Sequence, residues 1–211
     1  MKPLIRVLAG VFTVLVGVAG ARAHEADLPL VAAPFEPRWE VSLAAQIGIN
    51  IAGERCVGNG SDVVGCTGLG LIAFEFAPRY RFRHVSVGGF AQLGKGSDAN
   101  LLRFGAEARY LPLDTVDVEP WIGADLGAAL LIDSLPMNAD GPADTFVTAA
   151  PALGVSAGLE FAAGETVSFG VSARLFWLAI GRDSVLDVAR EPHYEHPLML
   201  TGGIVGTFRF D

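Results

Sequence analysis

From Arg38 to Gly53 the chain alternates with a period of two. Trp39, Val41, Leu43, Ala45, Ile47, Ile49 and Ile51 form one apolar set, and Glu40, Ser42, Ala44, Gln46, Gly48 and Asn50 form a small or polar one. Successive side chains of a β-strand point to opposite faces, so the stretch predicts a strand with one oily and one wet face. It runs longer than the ~5–6 residues of an ordinary globular strand and suits the ~9–11 tilted residues that cross a bilayer. Seven more strands of this kind would make a membrane β-barrel.

Seven more can be phased. They run over 68–80, 85–93, 101–111, 119–133, 146–161, 167–177 and 197–210. Their connections alternate in length: loops at 54–67, 94–100, 134–145 and 181–196, turns at 81–84, 113–118 and 162–166. Outer-membrane barrels pair long extracellular loops with short periplasmic turns in this way. No charge falls on the apolar phase of any of these strands. The other phase collects Glu40, Glu75, Glu107, Asp125 and Glu160 with Arg79, Arg103, Arg109, Arg174 and Arg209, an expected charge network in the lumen. An arginine facing mid-membrane lipid costs ~2–4 kcal/mol, whereas opposite charges in a narrow lumen can neutralise one another. Trp39, Tyr80, Tyr110, Phe161, Phe169 and Phe210 all fall near the turn end of their strands, as one interfacial girdle would.

The remainder of the composition agrees. Lys2 and Arg6, an apolar run from Leu8 to Ala19, and Ala21-Arg22-Ala23 read as a secretory signal peptide over residues 1–23. Residues 24–37, with three prolines, read as an irregular lead-in, and 38–211 as the barrel domain. Setting aside Lys2, Arg6 and Arg22 from the 15 basic residues leaves 12 against 23 acids, a balance that argues against nucleic acid as a partner. The mean hydropathy is +0.43, yet no other apolar run reaches the ~18 residues of a spanning helix. Oily residues spread over lipid-facing strands reconcile the two.

By these features the chain resembles the small eight-stranded outer-membrane barrels of the OmpA-barrel and OmpX type. The likeness covers residues 38–210 and ends on a strand in which Ile204, Gly206, Phe208 and Phe210 alternate. It implies an all-β, antiparallel, up-and-down transmembrane barrel in a bacterial outer membrane. It also implies recognition of the last strand by the barrel-assembly machinery through a terminal aromatic, here Phe210 followed by Asp211.

Reactive residues are few. Cys56 and Cys66 lie in the first long loop of an exported chain, which suggests a disulfide stabilising the loop by roughly 3 kcal/mol. His193-Tyr194-Glu195-His196 sits between Pro192 and Pro197 and reads as a solvated loop, and Asn138–Asp144 as a turn whose glycine is misplaced for calcium. His84 and Ser86 share a face, as the catalytic pair of outer-membrane lipid A deacylases does, but beside a turn and without an evident acidic partner. No catalytic, cofactor or metal residue is assigned. The expectation is a plugged, non-enzymatic barrel that contacts outer-membrane lipid and acts in envelope integrity or surface interaction through an unidentified loop partner. The alternatives are a lipocalin-like soluble carrier, whose oily faces would point inward, and a lipid A-modifying barrel enzyme.

Overall fold

A computed structural model describes residues 36–52, 55–59, 62–67, 70–96, 99–113, 118–136, 143–180, 192–194 and 197–210; of 55–59, 62–67, 133–136, 143–146 and 192–194 it describes the backbone alone. Eight strands close a barrel: β1 (Arg38–Ala52), β4 (Gly70–Arg81), β5 (Val85–Gly96), β6 (Ala99–Tyr110), β7 (Val118–Pro136), β8 (Ala143–Ala162), β9 (Val167–Leu178) and β11 (Leu198–Phe210). Each is antiparallel to its neighbours, and β1 pairs with both β4 and β11, so the barrel has no open edge. Three shorter strands, β2 (Arg55–Asn59), β3 (Asp62–Thr67) and β10 (Pro192–Tyr194), form a separate sheet in the order β10-β2-β3. Periodicity alone predicts loops over these residues. They carry no sustained alternation, because no oily face has to be kept to one side there.

The register fixes the barrel's shape. Trp39 pairs with Tyr80, which pairs with Val87, then Ala108, Ala124, Val155, Leu175 and Leu200, and Leu200 pairs with Ile49. One circuit therefore returns to β1 ten residues further along. With strands ~4.8 Å apart and ~3.3 Å per residue, that stagger tilts the strands by about 40°. At this tilt a ten-residue strand climbs about 25 Å, the height of an outer-membrane apolar band.

The apolar phase faces out. Ile47 is 71% exposed and Phe74 64%, with Leu93, Leu126, Val147, Val155, Phe169 and Ile204 similarly bare. In a lipocalin-like carrier these faces would line the interior, so that alternative fails. The aromatic girdle is present at the turn end, where Trp39 meets Tyr80 edge-on at 5.2 Å and Tyr80 meets Phe82 at 5.3 Å. Several strands outrun the sequence reading: β5 reaches Gly96, and β7 and β8 stay paired as far as Pro136 and Ala143. Beyond the hydrocarbon both faces of a hairpin can be wet, so the backbone ladder continues where the alternation fades. The extension of β5 puts Lys95 on the outward phase, at the loop end.

Glycine permits the tight curvature. Gly105 and Gly127 face each other across β6 and β7, and a Cβ on Gly127 would lie 2.0 Å from the Phe104 carbonyl oxygen. Arginine on the outward wall should be costly where arginine outside the apolar band is not. Leu126→Arg or Val155→Arg is expected to block assembly or cost ~2–4 kcal/mol, while Glu165→Arg, in the exposed turn after β8, leaves stability unchanged. Denaturant titration followed by the gel shift between folded and boiled barrel measures this; a Leu126→Arg or Val155→Arg barrel as stable as the Glu165→Arg one would refute the lipid-facing assignment of this wall.

Candidate functional site: the barrel lumen

The inward phase places six carboxylates, Glu40, Glu75, Glu107, Glu119, Asp125 and Glu160, and six guanidiniums, Arg79, Arg81, Arg103, Arg109, Arg174 and Arg209, inside the barrel. All are buried; Arg103 is 0% exposed. Their numbers balance, so the network is formally neutral. Taking an ion out of water costs several kcal/mol and is offset only by close, well-directed partners. The geometry supplies them.

At the turn end, Arg81 donates from Nη1 to Glu40 at 3.2 Å and to both oxygens of Glu119 at 3.0 Å. Arg209 donates to Glu119 as well and lies 3.5 Å from Glu40. Glu119 on β7 is thus reached from β4 and β11 across the lumen, tying opposite walls. One layer in, Glu107 accepts from three arginines: Arg79 at 3.2 Å, Arg109 at 3.0 Å and Arg174 at 2.8 Å. Arg79 also donates to Ser42, whose hydroxyl lies 2.6 Å from that of Thr207. Arg109 approaches Glu160 at 3.6 Å, and Ser168 donates to Glu160 at 2.7 Å. Arg174 grips Glu75 in a fork, at 2.5 and 3.2 Å, and reaches Asp125 at 3.3 Å. Asp125 also accepts from Arg103.

Aromatic rings fill the space between charges. Arg103 lies between Phe90 and Phe176, 4.7 and 4.5 Å from their centroids, and Arg109 packs 3.7 Å over Trp121. A planar, weakly hydrated guanidinium can pair with a carboxylate in its plane and stack on a ring through its face. The gap left among Trp121, Arg109, Arg174 and Ser172 has no space that a water-sized sphere can enter.

Toward the loop end the chemistry changes. Gln92 donates to Gln46 at 2.7 Å, and beyond this pair the lumen is apolar, packed with Leu71, Leu101, Leu131, Phe176, Leu178 and Met199. Periodicity does not reveal this second filling, because Leu71, Leu101 and Leu131 lie near strand ends where either phase can be oily. Arg81 and Glu119 are two lumen charges beyond the predicted set. Both are in phase with assigned lumen residues, Arg81 with Arg79 and Glu119 with Asp125, and that phase was the available signal.

The suspected enzyme pair does not come together. His84 sits in the turn with its Nδ1 3.2 Å from the Leu111 carbonyl oxygen, and the buried Ser86 hydroxyl has no hydrogen-bond partner among the described residues. The backbone register of β2 and β3 sets Cys56 opposite Cys66. The side chain of His193, residues 195–196 and most of 138–144 lie outside the described residues.

A closed antiparallel barrel with a lipid-facing apolar wall and a charged interior defines a class: the transmembrane barrels of the bacterial outer membrane, and that membrane is where such a barrel resides. Among solved structures the chain is similar to Neisserial surface protein A, with 16% identity and a TM-score of 0.59 over 83% of this chain and 100% of that one. It is also similar to the outer membrane protein AlkL, solved in lipid bilayers (14% identity, TM-score 0.48, 88% and 96% covered), and to the N-terminal barrel of Pseudomonas aeruginosa OprF (16%, 0.45, 83% and 100%). No family model and no curated protein matches the sequence.

Removing one partner from the network strands the others. Arg174→Ala, which strips Glu75 of its fork and Glu107 and Asp125 of one contact each, is expected to cost ~3–5 kcal/mol. Arg38→Ala, on a side chain a quarter exposed and 3.8 Å from Glu40, should cost under ~1 kcal/mol. Equal shifts in the unfolding midpoints would show that the buried pairs do not hold the lumen.

Proposed function

We propose that the protein is a non-enzymatic outer-membrane scaffold whose plugged barrel carries a loop sheet at the cell surface, acting in surface interaction or envelope integrity. The observation that carries this reading is the filled lumen. An eight-stranded barrel is just wide enough for side chains to fill it, and here ion pairs occupy one half and apolar side chains the other. With the lumen packed by the described side chains, what the rigid strands can offer is what they hold outside it. The first and last loops join there through the pairing of β10 with β2.

Several elements of the reading rest on the sequence. We infer export by a signal peptide cleaved after Ala23, a barrel domain from residue 38, assembly through the terminal strand ending at Phe210, and an unidentified partner for the extracellular loops. A disulfide between Cys56 and Cys66 belongs to the same proposal. Residues directly opposite in an antiparallel pair have Cα atoms about 4.5–5.5 Å apart, within the span a disulfide bridges.

Two measurements test the proposal. Purified protein in planar bilayers should show no stable, large conductance; a steady porin-like current would refute the plugged scaffold. On intact cells, a membrane-impermeant thiol label should react at Cys56 and Cys66 only after an impermeant reductant. Labelling without reduction would show free thiols and remove the disulfide.

A further inference from the structure

The sequence contains two lysines, Lys2 and Lys95; every other cation is arginine. Lys95 alone among the described strand cations points outward, on the same phase of β5 as Val87, Ala91 and Leu93. Its register neighbours are Ile72 on β4 and Asn100 on β6, and Asn100 is exposed on the same wall. Counting along the register at a tilt of about 40°, Lys95 stands about 25 Å above the level of Trp39, at the upper border of the apolar band. No carboxylate among the described residues pairs with it.

Below Lys95 the outer wall is hollowed. A concavity of about 690 Å³ crosses β5, β4, β1, β11 and β9, with Leu93, Phe74 and Ile204 as its sides and Ala45, Ala91 and Gly206 as its floor. Leu93 lies two residues below Lys95, about 7 Å along the strand. We propose that this wall binds a phosphorylated glycolipid of the outer leaflet, with its phosphate on the Lys95 ammonium beside the Asn100 amide and one acyl chain in the groove.

Three considerations select this occupant. The groove is walled by lipid-facing residues, so a water-soluble ligand has no route to it. A second barrel would present a convex wall to a concave one and would bury the Lys95 ammonium in an apolar contact, which is costly. An acyl chain entering from the outer leaflet fills the hollow and leaves the headgroup level with the ammonium. Long cationic side chains at this depth reach toward the interface, and a groove touches a chain on three sides where a smooth wall touches it on one. The site is independent of whatever the loops bind.

The experiment uses the full-length protein in phosphatidylcholine nanodiscs doped with lipid A bearing two phosphates, or with the same lipid A dephosphorylated. Lipid retained per barrel after mild detergent release is read by native mass spectrometry. Wild type should retain the phosphorylated form preferentially. Lys95→Gln should lower that preference about fivefold, the factor one interfacial lysine contributes against an anionic surface, and Lys95→Arg should restore it. Ala45→Phe, which fills the floor from the lipid side, should lower retention of both forms; the gel shift of the folded barrel confirms that each variant is assembled. Equal retention of the two lipids by wild type, or an Ala45→Phe variant that retains both normally, would overturn the proposal. A dimer mass with no retained lipid would also overturn it and assign the groove to a second copy.

Discussion

A backbone that crosses hydrocarbon must find every hydrogen bond within the protein, since nothing in the bilayer core can supply one. Here a closed ring of eight strands meets that requirement, with a stagger of ten residues per circuit. Most of the rest follows. Closure with so few strands leaves an interior only as wide as side chains, which makes it a packed core. It also forces close backbone approaches, as between Gly105 and Gly127, where a Cβ would collide with the neighbouring strand.

The core is divided, and the division has a physical cause. The wall must be oily outside, so charge can enter the strands only on the inner phase. Once there it needs several partners each, which is why Glu107 serves three arginines and Glu119 two. Arginine suits this work because its fork takes two acids while its faces stack on Phe90, Phe176 and Trp121. The loop half is sealed by ordinary apolar packing around Phe176 and Met199, so it asks for no partners at all.

How far each level was legible in the sequence depended on whether one side of the strand met lipid. Within the band, the contrast between faces is enforced by several kcal/mol per misplaced charge, and the phases of Ile47, Phe74 and Val155 could be read directly. Near the loops that contrast lapses, and β2, β3, β10 and the outer parts of β5, β7 and β8 were invisible or truncated. The inner phase of Arg103 or Glu75 could be read by the same period. Its partners could not, because pairing across the lumen joins residues such as Glu75 and Arg174 that only the circular register brings together. Arg81 was lost by a boundary error of a single residue, at a strand end where the turn and the lumen compete for it.

The seam between β1 and β11 joins the first and last strands of the barrel, with Glu40 opposite Arg209. A ring has no stable half. Until β11 is in place, β1 and β9 both carry open edges, and Glu119 lacks one of its two cations. Closure of the ring therefore waits on one very long-range contact, of the slow and aggregation-exposed kind. The nascent barrel has to be kept from pairing with other chains until its last strand arrives. The same seam works in reverse once it is shut: no strand can peel from an edge that does not exist, so loss of the fold must begin with rupture of a whole ladder, and persistence becomes a matter of barrier height more than of balance.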